Sequence, residues 1–138
     1  MPGQDLHETI RLVSEYCAGH GGTVQMIEGT VPFELPLDSP LLEAVNGATA
    51  AVTGEIPEAI GVPAWTDAHN LVDFGGSEAM VFGPGSIDSA HTPGEHIDVG
   101  QIVECSRIFV KLLEPENVAA MSAAPARRTH PRYRKPIS

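Results

Sequence analysis

Basic side chains are scarce in this sequence. Residues 1–114 hold three, against 17 acidic ones, a net of -14, while the last 24 residues carry five basic and one acidic, a net of +4. A body this acidic repels nucleic acid and anionic membrane surfaces, so neither is expected as a partner. The basic run ARRTHPRYRKP near the C-terminal end reads as a solubilising tail. Cysteine is sparse too: Cys17 and Cys105 lie far apart, both in segments that read as helices. That excludes a disulfide framework and a Cys-x-x-Cys metal or redox site. Long apolar runs are missing, since no stretch approaches the ~20 apolar residues of a membrane span. The start, MPGQDLHETI, lacks the positive and apolar regions of a secretion signal. The expectation is a soluble, cytoplasmic protein. No Gly-x-Ser-x-Gly elbow and no Gly-Lys-Ser/Thr phosphate loop occurs either.

What is there suits a globular chain: 138 residues, 42% hydrophobic, enough for one core. Leu6, Ile10, Val13 and Cys17 recur at helical spacing behind a capping Asp5, and Gly19, Gly21 and Gly22 end that helix. TVQMIEG (residues 23–29) reads as a strand. Pro32, Pro36 and Pro40 then force an extended path, read as a hinge over 32–38. Ser39 as N-cap and Pro40 at the first helical position start a second helix whose face carries Leu41, Leu42, Val45, Ala48, Thr49 and Val52 up to Gly54. Thr66 or Asp67 caps a short helix that ends near Gly75 and Gly76. The apolar AMVF (79–82) has the pattern of a strand buried on both faces. Asp98 and Gln101 resemble a capping box, opening a helix striped by Val99, Ile102, Val103, Ser106, Phe109, Val110 and Leu113, expected to pack on the sheet. Alternating helix and strand predicts an α/β architecture. With so few strands the sheet is poorly covered, the pattern of part of a larger fold. Residues 115–138, rich in proline and small or basic residues, are expected to be disordered.

The chemistry-bearing residues cluster in two places. VFGPGSIDSAHTPGEHIDVGQ (81–101) puts His91 in a loop after the AMVF strand, where open α/β sheets place ligand sites. A neutral imidazole is a common metal ligand and a general base near neutral pH, but a lone loop histidine is also an ordinary polar residue. Glu95 and His96 follow at plus four and plus five. That spacing in a Pro/Gly loop is not the one-face pair of His-Glu-x-x-His, so both read as solvated loop residues. Gly83, Gly85 and Ser86 offer backbone N–H groups, either as an anion nest or as a plain turn. In TDAHN, Asp67 and His69 lie two apart and point in different directions, which favours capping for Thr66 and Asp67.

Taken together, PFELPLDSPLLEAV, GVPAWTDA and VFGPGSIDSAHTPGEHIDVGQI, in that order and followed by a helix, resemble the C-terminal part of the M20 metallopeptidases, in particular the acetylornithine deacetylase and succinyl-diaminopimelate desuccinylase branch. The resemblance spans about residues 5–114. It implies a catalytic α/β domain with two zinc ions, interrupted by a smaller α+β lid that mediates dimerisation. Residues 1–31 match the last helix and strand of that lid, 32–38 the return hinge and 39–114 the C-terminal portion of the catalytic domain, with 115–138 beyond. By the same resemblance His91 matches the last zinc ligand, Gly83, Gly85 and Ser86 a loop lining the substrate pocket, and Thr66 and Asp67 a pocket-edge motif. His69 stands where the family often has arginine to grip an anionic substrate.

The family's N-terminal half supplies a His-x-Asp pair, a bridging aspartate, a Glu-Glu pair with the general base and a further acidic ligand; none has a matching motif here. The resemblance therefore implies a fragment of a hydrolase of N-acyl amino acids or small peptides, inactive alone. Two alternatives stand beside it. One is a split enzyme whose zinc site is completed in trans by a missing N-terminal half. The other is a non-catalytic module that dimerises or binds a relative.

Overall fold

The computed structural model describes residues 3–27, 29–30 and 32–123. The order of elements is α1 (Leu6–Gly19), α2 (Pro40–Thr53), α3 (Ala68–Asp73), a short 3-10 turn (Ile87–Ser89), α4 (Val99–Leu112) and α5 (Pro115–Ser122). The chain divides into two compact units. The first takes the described residues up to Glu34 together with Pro63–Ala79; the second takes Leu35–Val62 and the described residues from Met80 onward.

In the first unit α1 starts where Asp5 Oδ1 accepts the Glu8 N–H at 3.1 Å, the side-chain cap expected of an aspartate before a helix. It stops at a Schellman turn: Gly22 N–H reaches the Cys17 carbonyl at 2.8 Å and Gly21 N–H the Ala18 carbonyl at 3.1 Å. Gly21 at φ 75 is the left-handed residue that closes it, a conformation costly for a residue bearing Cβ. Leu6, Ile10 and Cys17 are half-buried as their spacing predicts, whereas Val13 is exposed. Leu6 and the Met26 thioether lie against Gly29, close enough that a Cβ there would sit 3.0 Å from Leu6 Cδ2. On the outer face Arg11 grips Glu8 through Nε at 2.8 Å and Nη2 at 2.6 Å, and also bonds Glu15.

The core of the second unit is α2. Ser39 is buried and its hydroxyl accepts the Leu41 N–H at 3.1 Å, while Pro40 fills the first helical position. Leu42, Ala44, Val45, Ala48 and Thr49 are buried, with Leu41 and Val52 half-buried beside them. The one hydroxyl on this face is satisfied within the helix, Thr49 Oγ1 donating to the Val45 carbonyl at 2.7 Å. Against α2 pack α4, through Cys105 and Ile108, and α5.

Four expectations need correction. Among the described residues there is no strand, so the α/β reading is not realised in this chain by itself: helices are joined by irregular segments. A strand exists only in a ladder. Residues 23–27 and 79–82 make no backbone hydrogen bond to any described residue. Val81, expected to be enclosed, is 50% exposed. The stripe on α4 is the second difference. Val99, Ile102, Val103, Ser106, Phe109, Val110 and Leu113 face outward, and the buried side is Cys105 and Ile108. A helix with two apolar sides buries the one that meets a partner, and here that partner is α2 rather than a sheet. Third, α5 occupies residues 115–122, inside the stretch expected to be disordered. Pro115 sits at its first turn, Asn117 Nδ2 donates back to the Lys111 carbonyl at 3.0 Å, and Met121 is half-buried. The rest of the expected tail, 124–138, lies outside the described residues. Fourth, Asp67 occupies the N-cap position of α3 without making a side-chain cap bond. No helix among the described residues is long and apolar enough to cross a membrane.

Candidate functional site

The loop that carries His91 is tied to α4 at both ends. On its way in, Phe82 meets Phe109 edge-on, ring centroids 5.9 Å apart. On its way out, Asp98 caps α4 by accepting the Gly100 N–H at 2.6 Å. Between these anchors the loop braces itself through short polar side chains, the capability that makes Ser and Thr frequent in turns. Ser86 Oγ accepts the Asp88 N–H at 3.3 Å, and Ser89 Oγ donates to the Ser86 carbonyl at 2.9 Å. Thr92 Oγ1 then donates to the Ser89 carbonyl at 2.8 Å, and Glu95 N–H to the Thr92 carbonyl at 3.0 Å. Finally Glu95 Oε2 accepts the His91 N–H at 2.9 Å.

His91 has φ 60 and is the one non-glycine residue in the left-handed region among the described residues. That conformation costs an L-residue about 1–2 kcal/mol, and it persists where the surroundings over-determine it. Its ring is exposed and has no hydrogen-bond partner among the described residues. His96, in contrast, turns Nδ1 onto the Gly94 carbonyl at 2.8 Å. A carbonyl only accepts, so that nitrogen carries the proton. Gly85 is left-handed at φ 93, with Ile97 close to where its Cβ would stand, while Ser86 is extended and its hydroxyl is engaged as the cap of the 3-10 turn. A Cβ added to Gly83 would meet nothing within 4 Å.

Thr66, Asp67 and His69 belong to the first unit, whereas Gly83, Gly85, Ser86 and His91 belong to the second. Within the first unit the Thr66 carbonyl accepts both the His69 N–H at 3.1 Å and His69 Nδ1 at 3.2 Å. This fixes the proton of the neutral ring on Nδ1 and leaves Nε2 as its acceptor. Phe33 meets the His69 ring edge-on at 4.9 Å and Trp65 lies parallel to it at 6.1 Å. Asp67 is exposed and its carboxylate accepts from Asn70 Nδ2 at 3.2 Å. Sequence reasoning passed over Phe33 and Trp65, and read Glu95 as a solvated loop residue. For Trp65, the single tryptophan, proximity to TDAHN was the available signal; for Glu95 it was the plus-four spacing from His91. Nothing in the sequence links Phe33 to His69.

The displaced ionisations lie elsewhere. Arg11 holds the Glu8 carboxyl below its ordinary value, Glu8 and Glu15 raise Arg11, and Glu114 raises Lys111. The Arg11 pairs are solvent-exposed on α1 and the Lys111–Glu114 pair is half-buried where α4 passes to α5; ion pairs so open to water contribute little to stability.

A catalytic zinc takes three protein ligands and a structural one four. Among the described residues no three of His, Cys, Asp or Glu gather at one point. His91 suits a single ligand position, exposed on a braced loop. The described residues by themselves do not fit a complete zinc site.

Residues 4–115 match the model of peptidase family M20/M25/M40. An acetylornithine deacetylase of Myxococcus xanthus is 36% identical over 62 residues, which are 45% of this chain and 16% of that protein. The matched stretch is thus a small part of the relative's length. No solved structure matches. With the family model covering most of its length, the chain belongs to peptidase family M20/M25/M40.

Proposed function

We propose that this chain corresponds to the C-terminal portion of a zinc-dependent amidohydrolase that removes the acyl group from N-acyl amino acids or small peptides, and that His91 is one of its zinc ligands. The observation that carries the reading is the left-handed His91 on its self-braced loop, inside the stretch matching the family model. A loop that spends hydrogen bonds on holding one exposed imidazole in a costly conformation is suited to presenting that ring. The similarity to an acetylornithine deacetylase supports the substrate class. The remaining ligands and the general base come from polypeptide beyond the described residues, so the chain is inactive alone.

In this reading Thr66, Asp67 and His69 of the first unit, and Gly83, Gly85 and Ser86 of the second, are each candidates for contacting substrate. With Nδ1 engaged by the Thr66 carbonyl, Nε2 is the ring nitrogen of His69 left to meet a substrate group. The outward apolar stripe of α4, from Val99 to Leu113, favours packing against further polypeptide, either the missing half or a second copy.

The test is complementation. The chain is mixed with a separately expressed N-terminal portion of an M20 deacetylase, zinc is added, and acetate release from N-acetylornithine is followed. Zinc-dependent release that needs both polypeptides and disappears in His91→Ala supports the reading. Release that is unchanged in His91→Ala overturns it.

A further inference from the structure

We propose that Glu95 is a positioning residue whose carboxylate holds the His91 backbone in the left-handed conformation. This rests on the reading of His91 as a zinc ligand only for its catalytic consequence; the conformational claim stands on the geometry of the loop.

Three observations carry it. His91 is the sole non-glycine residue with positive φ among the described residues, so something must favour that state over the extended or right-handed ones. The remaining braces, Ser86, Ser89 and Thr92, bond one another and the backbone at 86, 88 and 89. The Thr92 N–H to Ser89 carbonyl bond at 3.3 Å closes a turn with Ala90 and His91 at its centre, but no side chain among these braces bonds residue 91. Glu95 does: its Oε2 is the hydrogen-bond partner of the His91 N–H at 2.9 Å, and its own N–H is pinned to the Thr92 carbonyl at 3.0 Å. Glu95 thus closes the five residues from 91 to 95 twice, by its N–H to Thr92 and by its carboxylate to the His91 amide, as the chain reverses between them.

The bond is exposed, so water competes for both groups. Its role is accordingly one of selection among backbone states rather than relief of a buried donor. A hydrogen bond to an ionised acceptor is roughly twice as strong as a neutral one, which suits a carboxylate at 95. Glutamine keeps an acceptor oxygen at the same reach, aspartate is one methylene short, and alanine has no acceptor.

The experiment compares Glu95→Ala, Glu95→Asp and Glu95→Gln in the whole chain by two readouts. The first is NMR of His91: the left-handed state gives a strong contact between its own amide and Hα protons, and the bond protects that amide from exchange. Both signatures are expected in wild type and Glu95→Gln and lost in Glu95→Ala and Glu95→Asp, with resonances of the α2 and α4 core unmoved. Retention of the left-handed signature in Glu95→Ala overturns the proposal. The second readout is acetate release from N-acetylornithine in the complemented mixture. Loss of an outer partner of a metal ligand costs about 10–100-fold. Because the bond is exposed, a fall on the order of tenfold is expected for Glu95→Ala, the low end of that range, with recovery in Glu95→Gln. A full rate in Glu95→Ala despite a lost left-handed signature overturns the positioning role. If His91→Ala leaves the rate unchanged, the zinc-ligand reading fails, and the NMR comparison still decides what Glu95 does.

Discussion

Replacing Ser39 by alanine tests whether a buried cap holds the start of the core helix. Ser39 is 1% exposed and its hydroxyl accepts the Leu41 N–H at 3.1 Å. Pro40 has no N–H, so Leu41 carries the first donor that α2 must satisfy. The backbone bonds of residue 39, its N–H to the Pro36 carbonyl and its carbonyl to the Glu43 N–H, survive the change. The substitution therefore isolates the side chain. Loss of an N-cap costs about 1 kcal/mol, and an interior donor left unpaired raises that to about 1–3 kcal/mol. Because water reaches this position poorly, about 2 kcal/mol is expected for Ser39→Ala, toward the upper end of measured cap losses. In a chain of 138 residues each kcal/mol lowers the midpoint of thermal unfolding by about 3–4 °C. Circular dichroism at the helical band should show that drop, and urea unfolding should show a lower midpoint with an unchanged slope. An unaltered midpoint in both assays would refute the argument that α2 depends on its cap.

Three further outcomes follow from packing and charge. Ile108→Ala empties the contact of α4 with α2 at a residue 5% exposed, and should cost about 2–5 kcal/mol, read by the same unfolding curves. Gly75→Ala should destabilise α3, because a Cβ there would lie 2.5 Å from the Leu71 carbonyl oxygen, a backbone atom that cannot simply rotate away; limited proteolysis of the first unit would report it. The Arg11 bond lowers the Glu8 pKa, so its contribution to α1 is present above the ordinary glutamate range and is lost as pH falls through the lowered value. Helix content should fall on acidification through that window in wild type, and Glu8→Gln should remove the step.

The helices were legible in the sequence where punctuation and periodicity agreed. Asp5, Ser39 and Asp98 each cap the helix they announce, and Gly21 and Gly54 end the helices before them. What periodicity did not decide is which face of α4 meets a partner. Val99, Val103 and Val110 repeat as regularly as Cys105 and Ile108, and only the position of α2 separates exposed from buried. The strand-like runs TVQMIEG and AMVF show the complementary limit. Their residues favour extended backbone, yet a ladder needs a second chain segment beside them, and none of the described residues provides it. At the site, His91 was readable from its loop and motif. Its left-handed backbone was not: nothing in SAHTPGEH states that Glu95 folds back onto residue 91. The Trp65 and Phe33 rings around His69 were equally silent, since Phe33 lies far from His69 in sequence.

The central claim is that one imidazole of this chain ligates a metal that the rest of the enzyme helps to hold. It is tested most directly by labelling the chain's histidines with nitrogen-15, assembling it with the complementary N-terminal portion, and loading the assembly with cadmium-113 in place of zinc. A nitrogen-cadmium coupling from His91, and from no other histidine of this chain, is the predicted result. A metal-loaded, active assembly in which His91 shows no coupling would contradict the account.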